Sequence, residues 1–203
     1  MSIHPVALNS LSLRFGILVA LALSPFVCNA ASVDSGEKAY ERCALCHGLY
    51  GITPRSRFPI LSGQNPLYLE NQIQAFLSGK RTNDGGQMQS VVTELSEEQI
   101  AEVVDWFSSQ ELPAASASNN KDGEAAFSDY GCSTCHLENR SSEESVPLLY
   151  AQHKDYLEKQ IRELREGERI TEYKLTLHQQ LGAIDDNLIG AIAEYLASQD
   201  HKQ

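Results

Sequence analysis

The sequence predicts an all-α chain in which one small domain is written twice. Three observations carry this expectation. Apolar residues recur at helical spacing, no stretch alternates convincingly with a period of two, and four segments reappear in the same order in the second half. GEKAY (Gly36 to Tyr40) answers GEAAF (Gly123 to Phe127), and FPIL (Phe58 to Leu61) answers VPLL (Val146 to Leu149). YLENQIQAFLSGKR (Tyr68 to Arg81) answers YLEKQIRELREGER (Tyr156 to Arg169), and LSEEQIAEVVDWFSSQ (Leu95 to Gln110) answers IDDNLIGAIAEYLASQ (Ile184 to Gln199).

Taken in order, the first thirty residues read as an export signal. Arg14 is their only charged Lys, Arg, Asp or Glu. It precedes the apolar run Phe15 to Leu23, which Pro25 breaks, and Cys28-Asn29-Ala30 offers small residues for cleavage after Ala30. An uncleaved anchor is the alternative, although the run is short of the roughly 20 residues that span a bilayer. Bulky Val27 before Cys28 argues against a lipoprotein. The remainder divides at LPAASASNN (Leu112 to Asn120), giving a first domain over 31–112, a linker over 113–120 and a second domain over 121–203. Neither half is long enough to bury a generous core alone, so a bulky apolar group at the centre of each would supply missing volume.

Within each half, an opening helix is expected at Gly36 to Tyr40 and Gly123 to Phe127. The middle helices present Leu69, Ile73, Phe76 and Leu77, repeated as Leu157, Ile161 and Leu164. The closing helices start at cap signals, Ser96 with Gln99 three residues on, and Asp185. Their apolar faces are Ile100, Val103, Val104 and Phe107, and Ile189, Ile192, Ala193 and Leu196.

The opening helix of each half leads into the same motif, CALCH (Cys43 to His47) and CSTCH (Cys132 to His136). Cys-x-x-Cys-His is the attachment signature of c-type haem. Two intervening residues let one helical turn present both thiols, Cys43 with Cys46 and Cys132 with Cys135, to one porphyrin edge, and His47 or His136 then reaches the iron. The expected cofactors are two covalently bound haem c groups. A structural zinc site places its Cys pairs about 12–20 residues apart, whereas these lie 89 apart. A thioredoxin-like redox pair needs a βαβ setting that the pattern lacks. A disulfide framework is not excluded by counting, but none of these alternatives explains a His after the second Cys in both copies.

Cleavage after Ala30 removes Cys28, and all four remaining cysteines sit in the motifs. Haem attachment to thiols after export implies a periplasmic location. Removing Arg14 leaves 15 basic residues against 27 acidic ones, a formal −12. That balance argues against nucleic-acid binding. An acidic surface serves solubility in any case; as a functional feature it would steer the chain towards basic patches on partners.

On these residues the chain resembles the dihaem cytochrome c4 family, over essentially all of the mature sequence. The resemblance rests on the two CxxCH motifs, the proline–leucine segments, the YL-x-x-Q helices ending in Gly-x-Arg, and the closing helices ending in Ser-Gln. It implies two tandem class I cytochrome c domains that arose by internal duplication, and a role in electron transfer. It also implies that the first and last helices of each domain cross beside a small residue, with Gly36, Tyr40 and Trp106 in one half and Gly123, Phe127 and Tyr195 in the other. The carbonyls of Pro59 and Pro147 are expected to accept the hydrogen bond from the ligating imidazoles, which fixes their tautomer.

The sixth iron ligand separates the halves. Met88 is the only methionine besides Met1, and it lies where the family places its axial Met. The second half has no methionine; the position corresponding to Met88 is Leu177, and its neighbour is His178. A neutral imidazole is a good iron ligand, so the metal ligands expected are His47 with Met88 and His136 with His178. His153, Lys174, Tyr173 and an open iron are the alternatives at the second site. A thioether raises the potential relative to a second imidazole, so electrons would enter at the second site and rest at the first. Arg81 and Arg169, with Lys80, end the middle helices, where a cation complements the helix dipole; pairing of either arginine with haem propionates is the other reading.

The expected function is single-electron transfer between respiratory redox partners in the periplasm, such as a membrane cytochrome complex, a terminal oxidase or a periplasmic reductase. Peripheral membrane association stays open. The rival is a dihaem enzyme acting on peroxide or a sulfur oxyanion, or a gas-binding protein, at a weakly ligated or open second iron. An enzyme would need placed acid–base groups near the metal, and the sequence offers no convincing set.

Overall fold

Among the described residues, eight α-helices and one 3-10 turn make up the regular structure, and there is no strand. The computed structural model describes Met1 and residues 38–118, 120–136, 145–170 and 178–200. The expected export signal, the cleavage point at Ala30, Gly36, Tyr173 and Lys174 lie outside them.

The first half contains α1 (Ala39–His47), α2 (Pro66–Leu77), α3 (Gln87–Val92) and α4 (Glu97–Ser108). Local chemistry sets their ends. Asn65 accepts a hydrogen bond from the Tyr68 amide, and Pro66 follows at the first helical position, where its missing N–H is not needed. Ser96 and Gln99 form a reciprocal capping box at α4, as the sequence predicts. The short helix α3, which carries Met88, is not announced by periodicity. It starts at Gly86 (φ 82°), where the Asp84 carboxylate accepts from the amides of Gly86 and Met88.

The second half contains α5 (Lys121–Asp129), α6 (Ser133–His136), α7 (Lys154–Glu166), the 3-10 turn Gln179–Ala183 and α8 (Asp186–Ala197). Asp185 caps α8 by accepting from the Leu188 amide at 2.9 Å. The copies differ at the haem motif. In the first half one helix runs through CALCH, whereas in the second Gly131 (φ 73°) ends the opening helix and CSTCH begins a separate turn.

Each half builds its own core. In the first, Leu69, Ile73, Phe76, Ile100, Val103 and Phe107 are buried, with Cys43 and Met88 packed against them. In the second, Leu157, Ile184, Ile189, Ile192, Ala193 and Leu196 are buried. The apolar faces read from the periodicity fall in these cores, with Leu77, Val104, Ile161 and Leu164 partly buried at their edges. Tyr40 stacks on Trp106 with centroids 4.0 Å apart, and Phe127 meets Tyr195 at 5.8 Å. The opening and closing helices therefore pack through aromatic pairs in both halves. Residues 115–118 are held to the end of α8 by bonds from Ser116 to the Ala197 carbonyl and from Ser118 to Glu194.

The halves join through a pseudo-twofold set of polar contacts. Gln64 donates to the Leu148 carbonyl (2.9 Å) and accepts from the Leu148 amide (2.8 Å). Its counterpart 88 residues on, Gln152, does the same to Ile60, at 3.0 and 2.8 Å. Beside them, Arg81 donates to Gln72, Gln160 and Tyr156, and Arg169 donates to Gln160, Gln72 and Tyr68. Both guanidiniums are buried, and Glu163 lies close by, bonded to Gln160 and Asn83. The side chains of Arg81 and Arg169 thus turn into the contact between the halves. Cutting Gln152 back to alanine strands a buried peptide donor and acceptor at Ile60, each worth about 1–3 kcal/mol when left unpaired. Q152A is expected to lose about 2 kcal/mol in denaturant unfolding, and more than Q64A, whose partner Leu148 is only half-buried.

Candidate haem sites

The two motif histidines are positioned by the proline segments. His47 Nδ1 donates to the Pro59 carbonyl at 2.9 Å, and His136 Nδ1 to the Pro147 carbonyl at 3.2 Å. A neutral imidazole has one N–H, so donation from Nδ1 places the lone pair on Nε2, the ring atom that can ligate a metal. Burial holds the His47 pKa below its ordinary value and keeps the ring neutral. Phe58 meets the His47 ring edge-on at 5.9 Å and limits its rotation.

The four motif cysteines form no disulfide, and each is half-buried. Burial pushes the Cys43 thiol up to about 11. It is therefore a poor thiolate in the folded chain.

The residues expected as sixth ligands differ between the halves. Met88 sits on α3 against the same core as Cys43. In the second half the His178 ring faces His136, with centroids 6.4 Å apart and planes inclined by 28°. A metal held at about 2.0 Å by each of two imidazole nitrogens, each about 1.1 Å from its ring centre, sets the centroids about 6.2 Å apart. The observed separation fits an iron between the two rings. Burial, reinforced by the charge of Arg169, lowers the His178 pKa and favours the neutral ligating form.

His153 is directed elsewhere. It precedes α7, and its Nε2 donates to the Thr53 carbonyl of the first half at 2.8 Å. That ring nitrogen is used between the halves. The interface residues Tyr68, Gln72, Arg81, Tyr156, Gln160 and Arg169 have no assigned role in the sequence reading beyond the dipole and propionate options for the arginines. Their signal was the repetition of a Tyr–Gln–Arg set at a constant offset of 88.

A cytochrome c family model matches residues 33–111. The chain is 30% identical over 196 residues to cytochrome c4 of Pseudomonas aeruginosa, covering 91% of this chain and 96% of that protein. The chain belongs to the cytochrome c4 family. Its fold is similar to the crystal structure of reduced recombinant cytochrome c4 from Pseudomonas stutzeri, with a TM-score of 0.68 and 27% identity over 79% of this chain and 95% of that one. A shorter similarity, 37% over 84 residues, links it to a thiosulfate dehydrogenase electron acceptor of Thiomonas intermedia, covering 40% of this chain and 39% of that protein. As a member of the cytochrome c4 family the chain is a dihaem cytochrome c involved in electron transfer. It carries two covalently attached haem c groups, in keeping with its two tandem domains.

Proposed function

We propose that the chain is a periplasmic single-electron carrier with two unequal iron sites, one ligated by His47 and Met88 and the other by His136 and His178. Cys43 with Cys46, and Cys132 with Cys135, form the thioether bonds. The observation that supports the unequal pair is the 6.4 Å separation of the His136 and His178 rings. The bound haem supplies a reversible one-electron couple between Fe(III) and Fe(II).

The protein's own groups bias that couple. The Pro59 and Pro147 carbonyls fix the proximal rings and raise their basicity. The thioether of Met88 favours the reduced metal, whereas the imidazole of His178 gives up that preference. Electrons then enter the second domain and rest in the first. The reading as a carrier and not an enzyme is supported by the imidazole facing His136, which as an iron ligand would fill the position a substrate or gas needs. An N-terminal export signal ending at Ala30, domains over 31–112 and 121–203 joined by 113–120, and redox-protein partners on either side of a respiratory chain complete the proposal.

Low-temperature EPR of the oxidised holoprotein tests the ligation. Two distinct low-spin signals are expected, one of His/Met and one of His/His type; a high-spin signal would instead indicate an open second iron. Redox titration is expected to resolve two waves separated by more than about 59 mV, a tenfold bias of a one-electron equilibrium. Coincident waves would contradict the directional reading.

A further inference from the structure

We infer that the face of the first domain around Leu45 is a docking surface for an acidic redox protein that accepts the carrier's electron. The inference rests on the reading of the chain as an electron carrier. Four large apolar side chains are exposed there within eight residues: Leu45 (79%), Leu49 (45%), Tyr50 (59%) and Ile52 (51%). Leu45 lies between the two cysteines that hold the first haem, so anything seated on it lies against the attachment edge.

The patch is built, not frayed. The indole of Trp106 donates to the Leu49 carbonyl at 2.7 Å and lies 6.1 Å from the Tyr50 ring. Gly48 (φ 79°) brings Ile52 back against it, so closely that a Cβ would lie 2.2 Å from the Ile52 carbonyl oxygen. A rigid exposed patch of this composition, rimmed by arginine, has the make-up of an interface centre.

Charge identifies the partner. From Lys38 to Pro59 the chain has four basic residues and one acidic, although the whole protein carries −11. Lys38 and Arg42 are paired with Glu102 and Glu94. Arg55 and Arg57 have no carboxylate partner among the described residues. Arg55 donates to the Leu45 carbonyl at 3.3 Å, and Arg57 lies over Phe58, the ring that abuts His47. Two guanidiniums with no carboxylate partner among the described residues therefore border the apolar patch.

The duplicated sequence reverses this character. Leu45, Leu49, Tyr50 and Ile52 correspond to Thr134, Glu138, Asn139 and Ser141, and Arg55 at the same offset to Glu144. From Phe127 to Pro147 there are four acidic residues and one basic. Two copies of one domain have thus diverged to opposite charge beside the same motif, and only the first is apolar and basic. Beyond about 10 Å at 0.1 M salt the net charge is screened, so a docked partner senses the local arginines.

The test uses the holoprotein, reduced, with an acidic and a basic blue-copper protein as oxidants. In each turnover the carrier loses one electron and copper(II) of the probe becomes copper(I). With the acidic probe the second-order rate is expected to fall as salt rises. The R55E/R57E variant should lose about tenfold with that probe at low salt and gain with the basic one. L45T/Y50N should also slow the acidic probe, with its salt dependence retained. A rate with the acidic probe that rises with salt, or that is unchanged in R55E/R57E, overturns the surface. Unchanged potentials and spectra in the variants separate a docking failure from a failure of the carrier reading, which would appear as a first site that does not cycle between oxidation states.

Discussion

H178M is expected to raise the potential of the second site towards that of the first and to introduce a second thioether-to-iron charge-transfer absorption. The physical basis is the facing pair of rings 6.4 Å apart, close to the separation of about 6.2 Å for a metal held between two imidazoles. Methionine is long and flexible enough to follow the same approach, and its softer sulfur favours Fe(II). The two waves of the redox titration should then approach each other to less than about 59 mV. H178A should behave differently, leaving the iron open so that cyanide binds quickly to one haem of two. H153A keeps both spectra, because that ring is bonded to the Thr53 carbonyl. If neither His178 variant changes the absorption, potential or cyanide rate, His178 is not a ligand.

The same position shows how far the sequence could be read. The duplication allowed the halves to be laid against each other, and the missing methionine then pointed to a specific neighbour. The comparison could single out one residue because ligand chemistry is sparse: few side chains can bind iron, and each half has few candidates in that loop. Helix positions were legible for a related reason, since Leu69, Ile73 and Phe76, or Ile189, Ile192 and Leu196, fall on one face and are all buried. Caps at Ser96 and Asp185 are local and could be read directly.

What escaped were contacts between the halves. Arg81 and Arg169 end amphipathic helices, and one-dimensional pattern predicts solvent or a helix dipole for such cations. The structure buries both, because each guanidinium finds the tyrosine and glutamine of the opposite half as well as its own glutamine. Satisfaction of this kind depends on a second surface that periodicity does not encode. Helix α3 was missed for another reason: it is one short turn specified by Gly86 and the Asp84 carboxylate, with too few residues to show a repeat. The break before CSTCH likewise rests on a single glycine, Gly131.

G123A is expected to destabilise the second domain, whereas G190A is expected to be neutral or stabilising. Both glycines lie inside helices, α5 and α8, where alanine is favoured by up to about 1 kcal/mol. Propensity alone therefore predicts a gain at each. The surroundings separate them. A Cβ on Gly123 would lie 2.0 Å from the Ala191 carbonyl oxygen and 2.9 Å from the Tyr195 Cβ, both on α8. Relief requires α5 and α8 to move apart, which also disturbs the Phe127–Tyr195 pair. Overpacking of this kind costs about 1–3 kcal/mol or more, since a backbone atom cannot rotate away. A Cβ on Gly190 would meet only Glu158 Oε1, at an ordinary 3.5 Å. The net for G123A is a loss of about 2 kcal/mol, or roughly 8–16 °C at 4–8 °C per kcal/mol for a domain of this size. Thermal unfolding followed separately through the two haem absorptions checks both the sign and the location. The G123A loss should appear at the second haem first, because the second motif, with His136, lies on the short turn packed beside α5. Equal melting of G123A and the parent chain would mean that the helices cross with more room than a glycine contact implies.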